Sequence, residues 1–337
     1  VIEKREVAVI GCGYWGRNLV RVFDEIGALK IVCDERKAVQ EYIEKTYPNV
    51  ETMSNFSGVI SDDRISSVVI ATPAVTHYEL AKQALESGKD VFVEKPLALD
   101  VQEGKSLVDF AKKAKRILMV GHLLWYHSAV LKLKELIDGG ELGSLRYIAS
   151  HRLNFGKIRS EENVLWSFAP HDISLILGLS GEYPKEIHCH GGCYLDEKIA
   201  DVTSTKMTFP GGLQAHLFMS WLHPFKEQKL VVVGEKKMAV FDDMEPEDKL
   251  VLYAHSVSWD GNLPLANKAR GETVSLDLRE PLRRECNHFI DCVKHRKEPR
   301  TNGGEGLRVL SVLRACQWSL ENGKTFVAKS MKEVLRD

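Results

Sequence analysis

The chain has 337 residues, with 46 Lys and Arg against 47 Asp and Glu, a formal net charge of −1, and 44% hydrophobic and 28% charged side chains. That balance offers no basic surplus for nucleic acid and no apolar run near the roughly 20 residues of a membrane span, yet it is long enough for two domains with separate cores. The 7 cysteines, scattered and odd in number, suit reduced thiols in the cytoplasm better than a disulfide framework, and the chain enters its first apolar run so early that no signal peptide is expected.

That first run, Val7-Ala8-Val9-Ile10, leads straight into Gly11-Cys12-Gly13-Tyr14-Trp15-Gly16, three glycines at the spacing of a dinucleotide-binding turn. Gly11 permits the tight turn, Gly13 lets backbone approach a pyrophosphate, and Gly16 lets the following helix lie close to the strand. Leu19, Val22, Phe23 and Ile26 fall on one helical face, with Gly27 placed to end it. The spacing alone is weak. It gains force from Ile31-Val32-Cys33, a second strand, and from Asp34 at its end, where a carboxylate accepts ribose hydroxyls and favours NAD. Arg36 complicates that choice, because a guanidinium there suits the 2′-phosphate of NADP.

Strand and helix then alternate, the pattern of a parallel sheet covered on both faces. Val68-Val69-Ile70-Ala71 reads as a central strand ended by Thr72-Pro73; Thr76 is placed to cap the next helix, which carries Tyr78, Ala81 and Leu85 on its apolar face and stops at Gly88. Val91-Phe92-Val93 is the following strand, with Glu94-Lys95-Pro96 at its carboxyl end, where ligands of such sheets bind. Asp100 caps a further helix through Leu107 and Phe110, and Ile117 to Val120 forms one more strand before Gly121-His122. Lys95, steered by Pro96 and flanked by Glu94, is the strongest catalytic candidate. A neighbouring cationic ring and the Glu94 carboxylate would pull its pKa in opposite directions.

The pattern changes near Leu123, so the expected organisation is a Rossmann domain over 1–122 and an α+β domain with a large, mostly antiparallel open sheet over 123–337. After a helix bearing Val130, Leu133, Leu136 and Ile137, strict alternation of Leu213, Ala215, Leu217, Met219 and Trp221, then a hairpin of 230–233 with 238–241 and a strand over 250–253, describe that sheet. One face should be covered by the domain's own helices and the other should meet a second subunit in a homodimer or homotetramer. Met219 and Trp221 belong either to that second face or to the interior. Residues 242–248 read as a solvated turn and 255–270 as a long loop. Helices are expected around Cys286, Phe289, Ile290 and Val293, and around Leu307, Leu310, Leu313 and Trp318. His188 and His190 would share one strand face while Cys189 and Cys193 take the other, which splits the ligands of any metal site, and none is expected.

Several segments together are similar to those of the Gfo/Idh/MocA oxidoreductases: the glycine turn, Ala71-Thr72-Pro73 with His77, Gly88-Lys89, Glu94-Lys95-Pro96-Leu97, and Gly139-Gly140-Glu141-Leu142-Gly143. The resemblance implies an NAD(P)-dependent enzyme acting on sugars, cyclitols or their derivatives. It implies that Lys95 binds the reacting hydroxyl and assists proton transfer, and that Thr72, Pro73, His77, Glu94 and His122 join Gly11, Gly13, Tyr14, Trp15, Gly16, Asp34 and Arg36 at the cofactor. It further implies a second proton-handling residue at His171. Many members place aspartates four residues before and three after that histidine; here Ser167 and Ser174 stand there, and Asp172 either substitutes or only supports the helix. Within the family, the segments 152–159, 165–172 and 220–226 look most like dehydrogenases of UDP-activated N-acetylamino sugars or their uronates, acting at C3. By that reading Arg159 and Lys226 suit an anionic diphosphate or carboxylate and Asn154 a sugar hydroxyl. An inositol or free-sugar dehydrogenase, a keto-sugar reductase using NADPH, and a non-catalytic dinucleotide-binding regulator are the alternatives.

Overall fold

The computed structural model describes residues 6–277 and 279–328. The chain groups into two compact units, 1–126 with 279–310, and 127–278 with 311–337. Where the sequence suggested one boundary near residue 122, the chain leaves the first unit after Tyr126 and comes back to it for a helix and a half.

The first unit is built on six parallel strands, β1 (Val7–Ile10), β2 (Leu29–Cys33), β3 (Glu51–Met53), β4 (Ser67–Ile70), β5 (Asp90–Glu94) and β6 (Leu118–Gly121), in the order β3-β2-β1-β4-β5-β6. All four residues of β1, β4 and β6 are buried. Strands buried on both faces must read as unbroken apolar runs, which is why they were visible in the sequence. Between them run α1 (Gly16–Glu25), α2 (Lys37–Thr46), α3 (Phe56–Ile60), α4 (His77–Glu86) and α5 (Val101–Ala114). The Asp100 carboxylate caps α5 as expected, accepting from the backbone N–H of Gln102 at 2.7 Å and of Glu103 at 3.2 Å. Thr76 does not cap α4: its hydroxyl is taken by Thr72 Oγ1 at 2.6 Å and the Pro73 carbonyl at 2.8 Å. The buried Lys89 ammonium closes a turn by donating to the carbonyls of Asp62 and Ile65, at 2.9 and 2.7 Å.

The second unit opens with α6 (Ser128–Asp138), followed by β7 (Leu145–Leu153), α7 (Val164–Ser180), β8 (Glu186–Gly192), β9 (Val202–Thr208), β10 (Gln214–Ser220), β11 (Glu227–Gly234), β12 (Met238–Asp242), β13 (Leu250–Tyr253), β14 (Ser256–Asp260), β15 (Leu263–Asn267) and β16 (Glu272–Thr273). The chain then returns to the first unit as α8 (Pro281–His295), passes through α9 (Gly303–Asn322), and ends as described with β17 (Phe326–Val327). A nine-stranded sheet runs β16-β13-β12-β11-β7-β10-β9-β8-β17; its β7–β10 pair is parallel and its other pairs are antiparallel. Along β9 and β10 alternate residues are buried, including Thr203, Thr205, Met207, Ala215, Leu217 and Met219, and α7 packs over this face. Met219 and Trp221 therefore belong to the interior, with the Trp221 ring edge-on to Phe168 of α7. Trp318 is the reverse case: expected on the apolar face of α9, it is 41% exposed and set edge-on to Phe326.

Residues 255–270 are not a loop. They hold the two-stranded ribbon β14–β15, turning at Gly261 with φ of 57°, and every strand residue is exposed. Val257 and Trp259 alternate with polar residues in β14, and Leu263 and Leu265 alternate around Pro264 in β15, but the proline speaks against a strand and masked the pattern.

Candidate active site

The glycine turn has the geometry that a pyrophosphate requires. Gly11 has φ of +85°, and a Cβ there would stand 2.8 Å from Thr72 Cγ2; at Gly16 a Cβ would stand 2.2 Å from the Gly11 carbonyl oxygen. No side chain caps α1, so its first-turn N–H groups and positive dipole end are left for an anion. Around Gly13 the space a Cβ would take is open, and Tyr14 is 93% exposed beside it.

Asp34 sits at the end of β2 and accepts from the Cys12 backbone N–H at 2.9 Å, which ties this carboxylate to the turn itself. Arg36 grips the same carboxylate through Nε at 2.8 Å and Nη2 at 2.7 Å, and donates its backbone N–H at 3.1 Å. Burial alone would lift the Asp34 pKa, but Arg36 and the two backbone donors outweigh it and hold the carboxyl at about 2. These residues fit a dinucleotide: the turn and α1 for the pyrophosphate, Asp34 for the ribose. Arg36 is within reach of the same ribose edge.

The carboxyl ends of β4, β5 and β6 gather the remaining residues expected in the first unit. His77 is buried, its Nδ1 2.7 Å from the Pro96 carbonyl and its Nε2 3.0 Å from the Thr72 carbonyl, so one imidazole ties Thr72-Pro73 to Lys95-Pro96. Burial pushes the His77 pKa below its usual value, against the pull of both carbonyls. The Lys95–Pro96 peptide is cis. Glu94 accepts the Trp15 indole N–H at 2.6 Å and the Lys95 backbone N–H at 3.3 Å. His122 pairs through Nδ1 with Glu305 of α9 at 2.5 Å. The first unit thus brings together Thr72, Pro73, His77, Glu94, Lys95, His122 and the glycine turn.

In the second unit, His171 lies midway along α7, directly after Pro170. Asp172 turns the other way. It is buried, and its two oxygens are taken by Arg152 Nε at 2.6 Å, Arg152 Nη2 at 3.3 Å and Ser150 Oγ at 2.6 Å, which anchors α7 to β7. Arg159 is engaged by Glu161 at 3.4 Å and Glu162 at 3.0 Å, Asn154 donates its backbone N–H to Ser220, and Lys226 is exposed. Among the described residues, no group of three or more His, Cys, Asp or Glu is placed to hold a metal ion. No helix of the described residues is long and apolar enough to cross a membrane.

The sequence reading missed Arg152, Glu305 and Glu285. Glu285 had a legible signal: it stands between Leu282 and Phe289, a carboxyl on the apolar face of an amphipathic helix.

Comparison with known proteins agrees with this geometry. The model described as "Oxidoreductase family, NAD-binding Rossmann fold" matches residues 5–122, and that of the GFO/IDH/MocA C-terminal domain matches 130–240. The UDP-N-acetylglucosamine 3-dehydrogenase of Acidithiobacillus ferrooxidans is 27% identical over 90% of this chain and 93% of its own. A crystal structure of that enzyme has a TM-score of 0.83 at 25% identity, covering 94% of this chain and 97% of the other. The NAD(+)-dependent scyllo-inositol 2-dehydrogenase of Bacillus subtilis is 26% identical over 94% of each chain. On these matches and on its parallel nucleotide-binding sheet, the chain belongs to the Gfo/Idh/MocA family of oxidoreductases.

Proposed function

We propose that the protein is an NAD-dependent dehydrogenase that oxidises a sugar hydroxyl, C3 of a UDP-activated N-acetylamino sugar or its uronate, to the ketone. The observation that carries the reading is the junction at the end of β5, where Lys95 follows a carboxylate bonded to the glycine-turn indole, within one residue of a histidine-held proline carbonyl. A bound nicotinamide supplies the hydride acceptor. Lys95 holds the reacting hydroxyl and takes its proton, and His171 is the second proton-handling group. Asp172 acts as support for α7, because both of its oxygens are committed to Arg152 and Ser150. The similarity to the UDP-N-acetylglucosamine enzyme supports the nucleotide-sugar substrate, with Arg159 and Lys226 facing its anionic part and Asn154 a hydroxyl.

A second reading, a cyclitol dehydrogenase, is favoured by the equally extensive similarity to the inositol enzyme. Thermal shift separates the two, since a ligand that binds only the folded state raises the melting temperature. In the presence of NAD, UDP-N-acetylglucosamine or its uronate is expected to raise it and inositols are not; the reverse pattern overturns the assignment. NADP in place of NAD tests Arg36. The exposed face of the nine-stranded sheet, with Tyr147, Phe218, Val231 and Val240, is assigned to a second copy of the chain, and sedimentation of the purified protein measures that assembly.

A further inference from the structure

Glu285 is fully buried, and neither carboxyl oxygen has a hydrogen-bond partner among the described residues. An ionised carboxylate in that setting costs several kcal/mol, about as much as a whole domain can spare, so the group must stay neutral or share its charge. Its neighbour follows from the packing of α8 on β5. The Phe289 ring lies 5.6 Å from that of Phe92. Glu285 is one helical turn from Phe289 on the same face of α8, and Glu94 is two residues from Phe92 on the same face of β5. The two carboxyls therefore meet at the carboxyl end of β5. Gly121 of the adjacent strand leaves room for one of them, since a Cβ there would stand 2.8–2.9 Å from the Glu94 carboxyl group.

We propose that half-buried Glu94 and fully buried Glu285 are a carboxyl pair carrying one negative charge between them, with Glu285 the protonated positioning residue that keeps Glu94 bound to Trp15 and so holds the glycine turn ready for its ligand. Glu94 is the member with donors: the Trp15 indole, the Lys95 backbone N–H, and the nearby positive potentials of Lys95 and His122. Glu285 faces Glu94 and, more distantly, Tyr126 and Cys286, whose pKa values are both raised by burial first and by Glu285 second. From α1, Arg21 adds a small opposing effect at Cys286 while paired with Glu280 at the start of α8. Burial lifts the carboxyls of both Glu94 and Glu285 above the ordinary range, and the charge of Glu94 lifts Glu285 further. When pH falls and Glu94 takes up its own proton, the charge-assisted bond to Trp15 weakens; when pH rises and both ionise, like charges separate the pair.

This inference involves residues of the first unit alone and stands whichever sugar is oxidised. Its test needs no turnover. Trp15 is one of 6 tryptophans, so its emission is taken as the difference between the full-length protein and its Trp15→Phe variant, followed from acid to alkaline pH without added nucleotide. The parent is expected to show an acid transition above the usual carboxylate range, where Glu94 takes up its proton, and an alkaline one, where Glu285 gives up its own; Glu285→Gln, which cannot ionise, should lose the alkaline transition. An infrared band of a protonated carboxyl at neutral pH should be present in the parent and lost in Glu285→Gln. Glu285→Leu, which replaces the acid with an apolar group of similar volume, should likewise lose the alkaline transition. An alkaline transition retained in both variants, or a parent without the protonated-carboxyl band, overturns the proposal.

Discussion

The two sheets solve the same burial problem in opposite ways. In the first unit every residue of β1, β4 and β6 is buried; Ser67 and Asp90 stand at the amino ends of β4 and β5, and Asp34, Glu94 and Lys95 stand at carboxyl ends. In the second unit one face is packed under α7 while the other carries Tyr147, His151, Lys206 and His216 in exposed positions. The parallel sheet gathers at its carboxyl edge the glycine turn, Asp34, Thr72, Glu94, Lys95 and His122, the residues expected there from the sequence. The open sheet distributes polar groups over a broad surface, and its candidate residues are correspondingly scattered: Arg159 bound to glutamates, Lys226 exposed, Asp172 turned inward.

Substitutions can break that contrast. The largest effect is expected at the carboxyl edge, where Lys95→Ala should lower turnover on the selected sugar by on the order of 10³-fold, with the NAD dissociation constant within about twofold of the parent in a fluorescence titration. Loss of NAD binding in step with turnover would show that Lys95 serves the fold of the turn and not the hydroxyl. Within the sheets, Phe92→Ala removes a fully buried ring and should cost about 3–5 kcal/mol in urea unfolding. Phe218→Ala, on the open face of β10, should cost under about 0.5 kcal/mol when the chain is dilute. If its cost instead rises with protein concentration, the open face is covered by another copy.

The next change is made beside the Asp34 carboxylate and is read in ligand affinity. Arg36→Ala should weaken NADP binding about tenfold while leaving NAD binding within about threefold, measured by titration, because a guanidinium pairs with a 2′-phosphate and NAD has none. The same carboxylate also gives a pH signature. Asp34 is held at about 2 in the folded protein against an unperturbed 3.8, so its ionisation favours the folded state above the higher value. The stability it contributes is present above that value and is lost as pH falls through about 2. Asp34→Asn should therefore melt below the parent by a constant margin near neutrality, and the margin should narrow in scans at progressively lower pH.

How much was legible in the sequence follows the same division. Val7 to Ile10, Val68 to Ile70 and Val91 to Val93 could be read as strands because burial on both faces leaves no choice of residue. The glycine turn could be read because two of its positions have no room for a side chain. The ribbon β14–β15 was hidden because Pro264 interrupts its alternation, and Trp318 misled because helical spacing alone does not say which end of an apolar stripe reaches the surface. Thr76 occupied a capping position, but Thr72 and Pro73 claimed its hydroxyl first.

Taken alone, the order of residues determined the parallel sheet, the nucleotide turn and the lysine after β5, since each is imposed locally by sterics or by burial on two sides. Tertiary structure decided the partnerships: Asp172 with Arg152, His122 with Glu305, Asp34 with Arg36, and Glu285 behind Glu94. A side chain's charge is written in the sequence, but its protonation and its partner depend on what folding brings within a few ångströms. For Glu94 and Glu285 that neighbour lies nearly two hundred positions away, on a helix that returns to the first unit only after the chain has completed the second sheet.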